Sequence, residues 1–469
     1  MAKRSDIKLD SGTAPAAKET VISGVPEGFD ARVLADLTKA ATASGEPGLH
    51  VHVARDDRRL DQLETALAFF APDLKVISFP AWDTVPYDRT SPNAEIVSKR
   101  ITALGRLSIG SRKETAIVLT TVNAILQRVP PRTFIRSAFK PIAPGQRLDI
   151  AELVKRLFSY GFQRAATVME PGEFAQRGGI LDLFPPGRIN PIRLDFFGDT
   201  LETIKAFDAE TQRSMKAVQK FALMPVSEVA FGEAATALFR QRYVALFGGN
   251  TGDDPLYEAI SSGRRYQGQE HWLPLYHPEL ETLFDYVPGA AISFDHMSAE
   301  AIEQRFAQIA EHYEARVDSL EGQRFGAPPY KPVPPDQMFL DGKAWADALS
   351  KRSVQRLTPF EEPGASGVYA MHGRKGRTFA AERADPDANV FDAVIGQIRS
   401  VHATNRRVII AAWTSGARER LMSLLADHGL KDARKVEHFA EVQALPTGHT
   451  GFAVLGLEDG FETPDFAII

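Results

Sequence analysis

Three residues of one short run have the right chemistry for recognition. In "GEFAQRGGILDLFPPGRINPIRLDFFGD", Gly172 to Asp199, the residues Arg193, Asp195 and Phe197 alternate with Ile192, Leu194 and Phe196. Successive side chains of a strand point to opposite faces. One face is therefore apolar, and the other offers a guanidinium, a carboxylate and a large aromatic ring. Arg177 precedes them in "AQRGG". Arginine and aromatic residues are the types that dominate protein–protein hot spots. From the residues alone two readings stay open: a partner surface, or a surface arginine beside a phenylalanine covered by the chain's own helix.

Phosphate chemistry has one candidate. "SGVPEGFDARVL", Ser23 to Leu34, places Gly24 and Gly28 before a helical pattern, where a phosphate-cradling loop would sit. Such a loop needs a lysine and an adjacent hydroxyl, in the pattern GxxxxGK[ST]. Here Phe29 and Asp30 follow Gly28, and a carboxylate at that place repels phosphate. ATP hydrolysis by this chain is not expected, because lysine and magnesium supply much of phosphoryl-transfer catalysis. The apolar run "AISF" ends in Asp295, but His296 stands where a second carboxylate would position water. His50 and His52 share a strand face without a third ligand nearby and read as a core-edge pair rather than a metal site. "HGRKGR" (372–377), with Arg406 and Arg407, is a candidate basic patch. "SFPAWDTVPYDRTSPNAEI" reads as an ordered loop pinned by Trp82 and Tyr87, or as a contact for a partner.

Composition narrows the field. The 469 residues suggest about three domains. The net charge of −5 argues against a general electrostatic nucleic-acid binder. With no cysteine, disulfides, thiolate catalysis and cysteine-ligated zinc are excluded, which fits a reducing cytoplasm. The N-terminus lacks the apolar core of a signal peptide, and no run approaches the roughly 18 apolar residues of a membrane span. Residues 1–18 are expected to be disordered. The apolar ending "DFAII" suggests a fragment of a longer protein.

The elements that must position these residues are readable from periodicity. Strand-like runs at 49–54, 75–79 and 115–121 alternate with the helical patterns "RLDQLETALAFF" and "AEIVSKRITALGRL", which predicts a parallel sheet. In "LDIAELVKRLFSYG", Ile150, Leu153, Val154, Leu157 and Phe158 have helical spacing, with Asp149 as N-cap and Gly161 as stop. Strands are expected at 165–169, 179–184, 191–197, 201–206 and 216–223, giving one helix on an antiparallel meander. A strand at 290–297 and a long helix capped by Ser298 follow. "GAPPYKPVPPD" reads as a semi-rigid linker. The runs 406–413, 416–429 and 451–456 predict a final small α/β domain. The expected fold is α/β and multidomain. Residues 19–138 and 225–325 form one parallel-sheet domain in two segments, and residues 139–224 are a small α+β domain inserted between them. A linker at 326–338 leads to a second α/β domain at 339–469.

The segments "FPAWDTVPYDRTSPNAEIVSKRITAL", "VNAILQRVPP", "PGQRLD", "VMEPGEFAQRGGILDLFPPG" and "RLDFFGDTLETIKAFDAETQRS" occur in an order that resembles the bacterial transcription-repair coupling factors, the Mfd family. The resemblance is specific over residues 20–225 and weaker beyond. The same module is similar to the first three domains of UvrB, the excision-repair helicase. The resemblance implies a UvrB-like body that recruits UvrA through its inserted domain, with Arg177, Arg193 and Phe197 at the family's UvrA-contacting positions. It implies that this segment is non-catalytic and holds no cofactor, its nucleotide loop being degenerate around Gly24 and Gly28. ATP and Mg²⁺ would serve a translocase motor in the full-length parent. That parent would also engage RNA polymerase and double-stranded DNA, and its C-terminal domain would mask the UvrA surface until polymerase stalls. UvrB's damage-probing hairpin has no counterpart between "FPAWDTVPYD" and "SPNAEIVSKR". The alternatives are a nucleic-acid-binding module using basic loops and a cryptic nucleotide-dependent enzyme.

Overall fold

The computed structural model describes residues 19–43, 48–110, 114–249, 251–252, 254–321, 329–362 and 366–469. The N-terminal segment expected to be disordered lies outside these residues.

The first α/β unit begins with β1 (Glu19–Ser23), β2 (Leu49–Ala54), β3 (Lys75–Phe79) and β4 (Ala116–Thr121). Helices Phe29–Ala43, Asp57–Phe70 and Ala94–Ile109 alternate with them, as the periodicity predicts. Asp56 caps the second helix by accepting the amide of Arg59, and Asn93 caps the third by accepting that of Glu95. Strands β2 and β4 are almost entirely buried, as befits a sheet covered on both faces.

The chain then leaves through a two-stranded stalk. Here β5 (Lys140–Ile142) pairs antiparallel with the returning strand Phe221–Leu223. Between them lie helix Ile150–Ser159 and a six-stranded sheet built from β6 (Gln163–Arg164), β7 (Glu173–Arg177), β8 (Ile180–Leu183), β9 (Ile192–Phe197), β10 (Thr200–Phe207) and β11 (Ser214–Ala217). The returning strand is β12 (Phe221–Leu223). Asp149 caps the helix by accepting the amides of Ala151 and Glu152 at 2.7 and 3.3 Å. The helix buries Leu153 and Leu157 against Phe174, Leu181, Ile192 and Leu194 of the sheet. The strand expected at 165–169 does not form. The Glu173 carboxylate accepts the amides of Met169 and Glu170 at 2.7 and 3.0 Å, so a side chain takes donors that a ladder would use. The strand falls instead at Glu173–Arg177, and the run expected at 216–223 divides into β11 and β12.

The chain re-enters the first unit at a buried ion pair. Arg100 Nε lies 2.5 Å from Glu228 Oε1 and its Nη2 3.2 Å from Oε2, with both side chains closed to water. Beyond it come β13 (Ala291–Phe294), β14 (Val354–Leu357) and β15 (Val368–Ala370). The completed sheet is wholly parallel, in the order β15-β1-β14-β13-β2-β4-β3. The domain boundary expected at 338/339 therefore gives way. Strands β14 and β15 flank β1, more than 300 residues earlier, and no local periodicity announces so distant a partner. The described part of the Pro-rich stretch is not a spacer either. Tyr330, Val333 and Met338 are buried, with the Tyr330 ring 4.5 Å from that of Trp272; residues 326–328 lie outside the described residues. Ser298 is the first helical residue of Ser298–Glu321 rather than its cap, and its hydroxyl donates to the Val53 carbonyl.

The second α/β unit comprises β16 (Arg374–Lys375), β17 (Arg407–Ala412), β18 (Ala433–Lys435), β19 (Thr450–Val454), β20 (Phe461–Glu462) and β21 (Phe466–Ile468), in the order β16-β20-β21-β17-β19-β18. Helices Val390–Ala403 and Ser415–Asp427 pack Ile395, Ile398 and Leu425 against Val408, Ile410 and Phe452.

His50 and His52 sit inside the first sheet, where both rings hydrogen-bond Ser293 Oγ, at 2.7 and 2.9 Å. Burial lowers both to about 3, so the folded protein holds them neutral. A base whose folded value is depressed contributes stability above its unfolded value, near 6.5, and loses it as pH falls toward 3. Chemical denaturation between pH 7 and 5 should show stability falling by up to about 1.4 kcal/mol per pH unit for each histidine. The double variant His50→Gln/His52→Gln should flatten that slope; an unchanged slope would contradict the assignment.

Candidate partner-binding surface

Strand β9 divides its side chains between two environments. Ile192, Leu194 and Phe196 are buried under the helix, Arg193 and Asp195 are half-buried, and Phe197 is 78% exposed. Residues paired across a ladder share a face. Arg177 therefore stands in one row with Ile180, Asp195 and Thr203. Ala175, Asp182, Arg193 and Lys205 form the next row. Phe197 lies one step along β9 from Asp195, beside the tight turn Gly178–Gly179, whose Gly179 carbonyl accepts the amide of Phe196 at 2.9 Å. The structure thus brings Arg177, Arg193 and Phe197 onto one face, and the chain's own helix occupies the opposite one.

Arg193 is more than a surface cation. Its Nε and Nη2 grip the two oxygens of Asp182 at 2.7 and 2.9 Å, and Asp182 is itself buried. The guanidinium lies 4.8 Å from the centre of the buried Phe207 ring. The hydrogen bond to Asp182 holds its pKa above the ordinary arginine value. A bidentate pair over an aromatic ring leaves little freedom, so the exposed edge of Arg193 is preorganised. Arg177 is exposed and anchored more loosely, through Nη2 to the Ala166 carbonyl at 2.9 Å. Two residues escaped the sequence reading. Ile180, 37% exposed, extends the apolar part of the face. Asp182 fixes Arg193. The alternation in "ILDL" was the available signal for both.

The glycine turn at Gly24–Gly28, read from the sequence as a candidate phosphate loop, is closed by the chain's own Asp30. Asp30 Oδ1 accepts the amides of Gly28 and Ala31 at 3.1 and 2.8 Å, the donors a phosphate would need at this helix N-terminus. Its other oxygen pairs with Arg59, whose Nε also lies 3.4 Å from Asp295 Oδ2. Burial pushes the Asp30 carboxyl up to about 6, against the lowering effect of Arg59. The candidate basic patch is largely neutralised. Arg374 and Arg406 share Glu462 at 2.8 and 3.0 Å, Lys375 pairs with Asp459 at 2.8 Å, and Arg377 pairs with Glu382. Arg407 donates to the carbonyls of Val442 and Leu445 at 3.0 and 2.6 Å. Trp82 and Tyr87 are buried as the pinned-loop reading expects, with Trp82 Nε1 donating to Glu228. Among the described residues, no group of three His, Cys, Asp or Glu is placed to hold a metal ion, and no helix is long and apolar enough to cross a membrane.

A parallel-sheet unit interrupted by an α+β insertion, followed by a smaller α/β unit, defines a UvrB-like multidomain α/β protein. Residues 141–229, which carry the face just described, match the UvrB interaction domain family. Over most of its length the chain is similar to the transcription-repair-coupling factors, consistent with an N-terminal region of that family. It is 29% identical to that of Rickettsia bellii over 421 residues, 89% of this chain and 36% of the relative. It is 32% identical to that of Escherichia coli over 331 residues, 67% of this chain and 28% of the relative. With Bacillus subtilis the identity is 22% over 483 residues, 95% of this chain and 38% of the relative. The chain thus spans between 28% and 38% of the length of these relatives.

The ion pair and the exposed ring predict unequal stability effects. Arg193→Ala strands a buried carboxylate and should destabilise the protein by about 3 kcal/mol. Phe197→Ala removes a ring already in water and should change stability by less than about 0.5 kcal/mol. Denaturant melts of the two variants check this; equal losses would show that Arg193 and Asp182 do not depend on each other.

Proposed function

We propose that this chain is a non-catalytic docking module that recruits UvrA, and with it nucleotide excision repair, to a transcription-repair coupling factor. One observation carries the reading. Within the UvrB interaction domain, a preorganised arginine, a second exposed arginine and a bare phenylalanine share the sheet face opposite the domain's own helix. Exposed aromatic and guanidinium groups on a rigid sheet lose little freedom on binding, which concentrates binding energy in a few contacts. In the full-length parent, which acts in the cytoplasm, an ATP-driven translocase on double-stranded DNA releases stalled RNA polymerase. A C-terminal domain there masks the UvrA surface. This segment takes no nucleotide in that scheme, which the occupation of its loop by Asp30 supports.

Purified UvrA should bind the wild-type chain. Phe197→Ala and Arg177→Ala should each weaken binding by at least roughly tenfold, the scale of a hot-spot truncation, without lowering the melting temperature. Calorimetric titration with circular-dichroism melts measures both. Undiminished binding by both variants would remove the site assignment, and no binding by the wild type would remove the function. Arg193→Ala is the weaker probe, because lost binding would be mixed with lost stability.

A further inference from the structure

The candidate phosphate loop and the candidate basic patch meet each other in the fold. The segment crossing from β15 into the second α/β unit runs along the turn after β1. There the Met371 amide donates to the Ser23 carbonyl at 2.9 Å, and the Gly373 amide to the Gly24 carbonyl at 2.8 Å. The contact leaves no room for a side chain at Gly373. A Cβ there would lie 2.6 Å from the Gly24 carbonyl oxygen, 2.8 Å from the Phe29 ring and 2.9 Å from Pro26. The other end of the turn is equally close. Gly28, at φ +93°, faces Leu457 and Phe461 of the second unit, which an added Cβ would meet at 2.9 and 3.0 Å.

Behind the turn, aromatic rings from both units form one cluster. Phe29 lies 5.7 Å from Phe461 and 6.2 Å from Phe466; Phe70 lies 5.1 Å from Phe439, which in turn lies 4.9 Å from Phe466. All are buried in a single continuous core that also contains Leu34, Leu63 and Ile409. Such a core gives the two units a shared stake in remaining folded.

We infer that the Ser23–Asp30 turn is an interdomain clamp. Its glycines admit the 371–373 crossing segment and the Leu457–Phe461 loop, and its helix N-terminus is satisfied by Asp30, so that the two α/β units open as one cooperative body. The turn thereby receives the chain's own second unit in place of a nucleotide.

Native-state hydrogen exchange tests this. In the otherwise wild-type chain, Val53→Ala in the first unit should lower amide protection in β2 and, in parallel, in β17 of the second unit, each by roughly tenfold. With Gly373→Val added, the Val53→Ala effect should stay confined to β2. Phe29→Ala, which removes a ring without disturbing the backbone, should also break the transmission and serves if Gly373→Val does not fold. Protection of β17 that ignores Val53→Ala in the wild-type background would overturn the inference, as would transmission that survives whichever clamp variants fold.

Discussion

Arg100 and Glu228 are both shut off from water, and much of the architecture turns on that pair. Burying two charges costs several kcal/mol each unless every polar atom is satisfied. Here the guanidinium meets both carboxylate oxygens, donates to the Pro80 carbonyl and lies 4.3 Å from the centre of the Phe79 ring. The carboxylate also accepts from Trp82 Nε1, and His277 Nε2 donates to the Glu228 carbonyl at 2.8 Å. The pair therefore binds helix Ala94–Ile109, the loop after β3 and the point where the chain returns from the insertion. Glu228 follows β12 closely in the chain, so the pair anchors the returning strand's exit to the first unit.

The same device recurs with different results. Asp182 holds Arg193 with one edge open to solvent, and the outcome is a rigid cation on a surface. Asp30 and Asp295 hold Arg59 wholly inside, and the outcome is a closed loop. In each case a buried carboxylate decides whether an arginine is available to a partner. The net charge of the chain says nothing about that. The basic patch around Arg374 and Arg406 makes the same point, since Glu462 ties both down.

Local rules read the helices well. Asp149 caps its helix, and the stripe of Leu153 and Leu157 faces the core as its spacing requires. They read β9 well too, because strict alternation leaves one burial pattern possible. They failed where side chains compete for backbone donors, as Glu173 does at Met169 and Glu170, and where a strand is short and its partner remote, as with β14 and β15 beside β1.

The sequence by itself determined the faces: which residues of β9 turn inward, that Phe197 shares a side with Arg193, and that the loop at Gly28 lacks the lysine and hydroxyl of a nucleotide site. These are properties of periodicity and residue type, which act over a few positions. Only the tertiary structure decided what lies against each face. It left Phe197 bare, set Asp182 beneath Arg193, and carried the second α/β unit onto the turn at Gly24 and Gly28. It also extended the first sheet past the proline-rich stretch. Those outcomes depend on contacts between residues hundreds of positions apart, where burial and the pairing of charges override local preference.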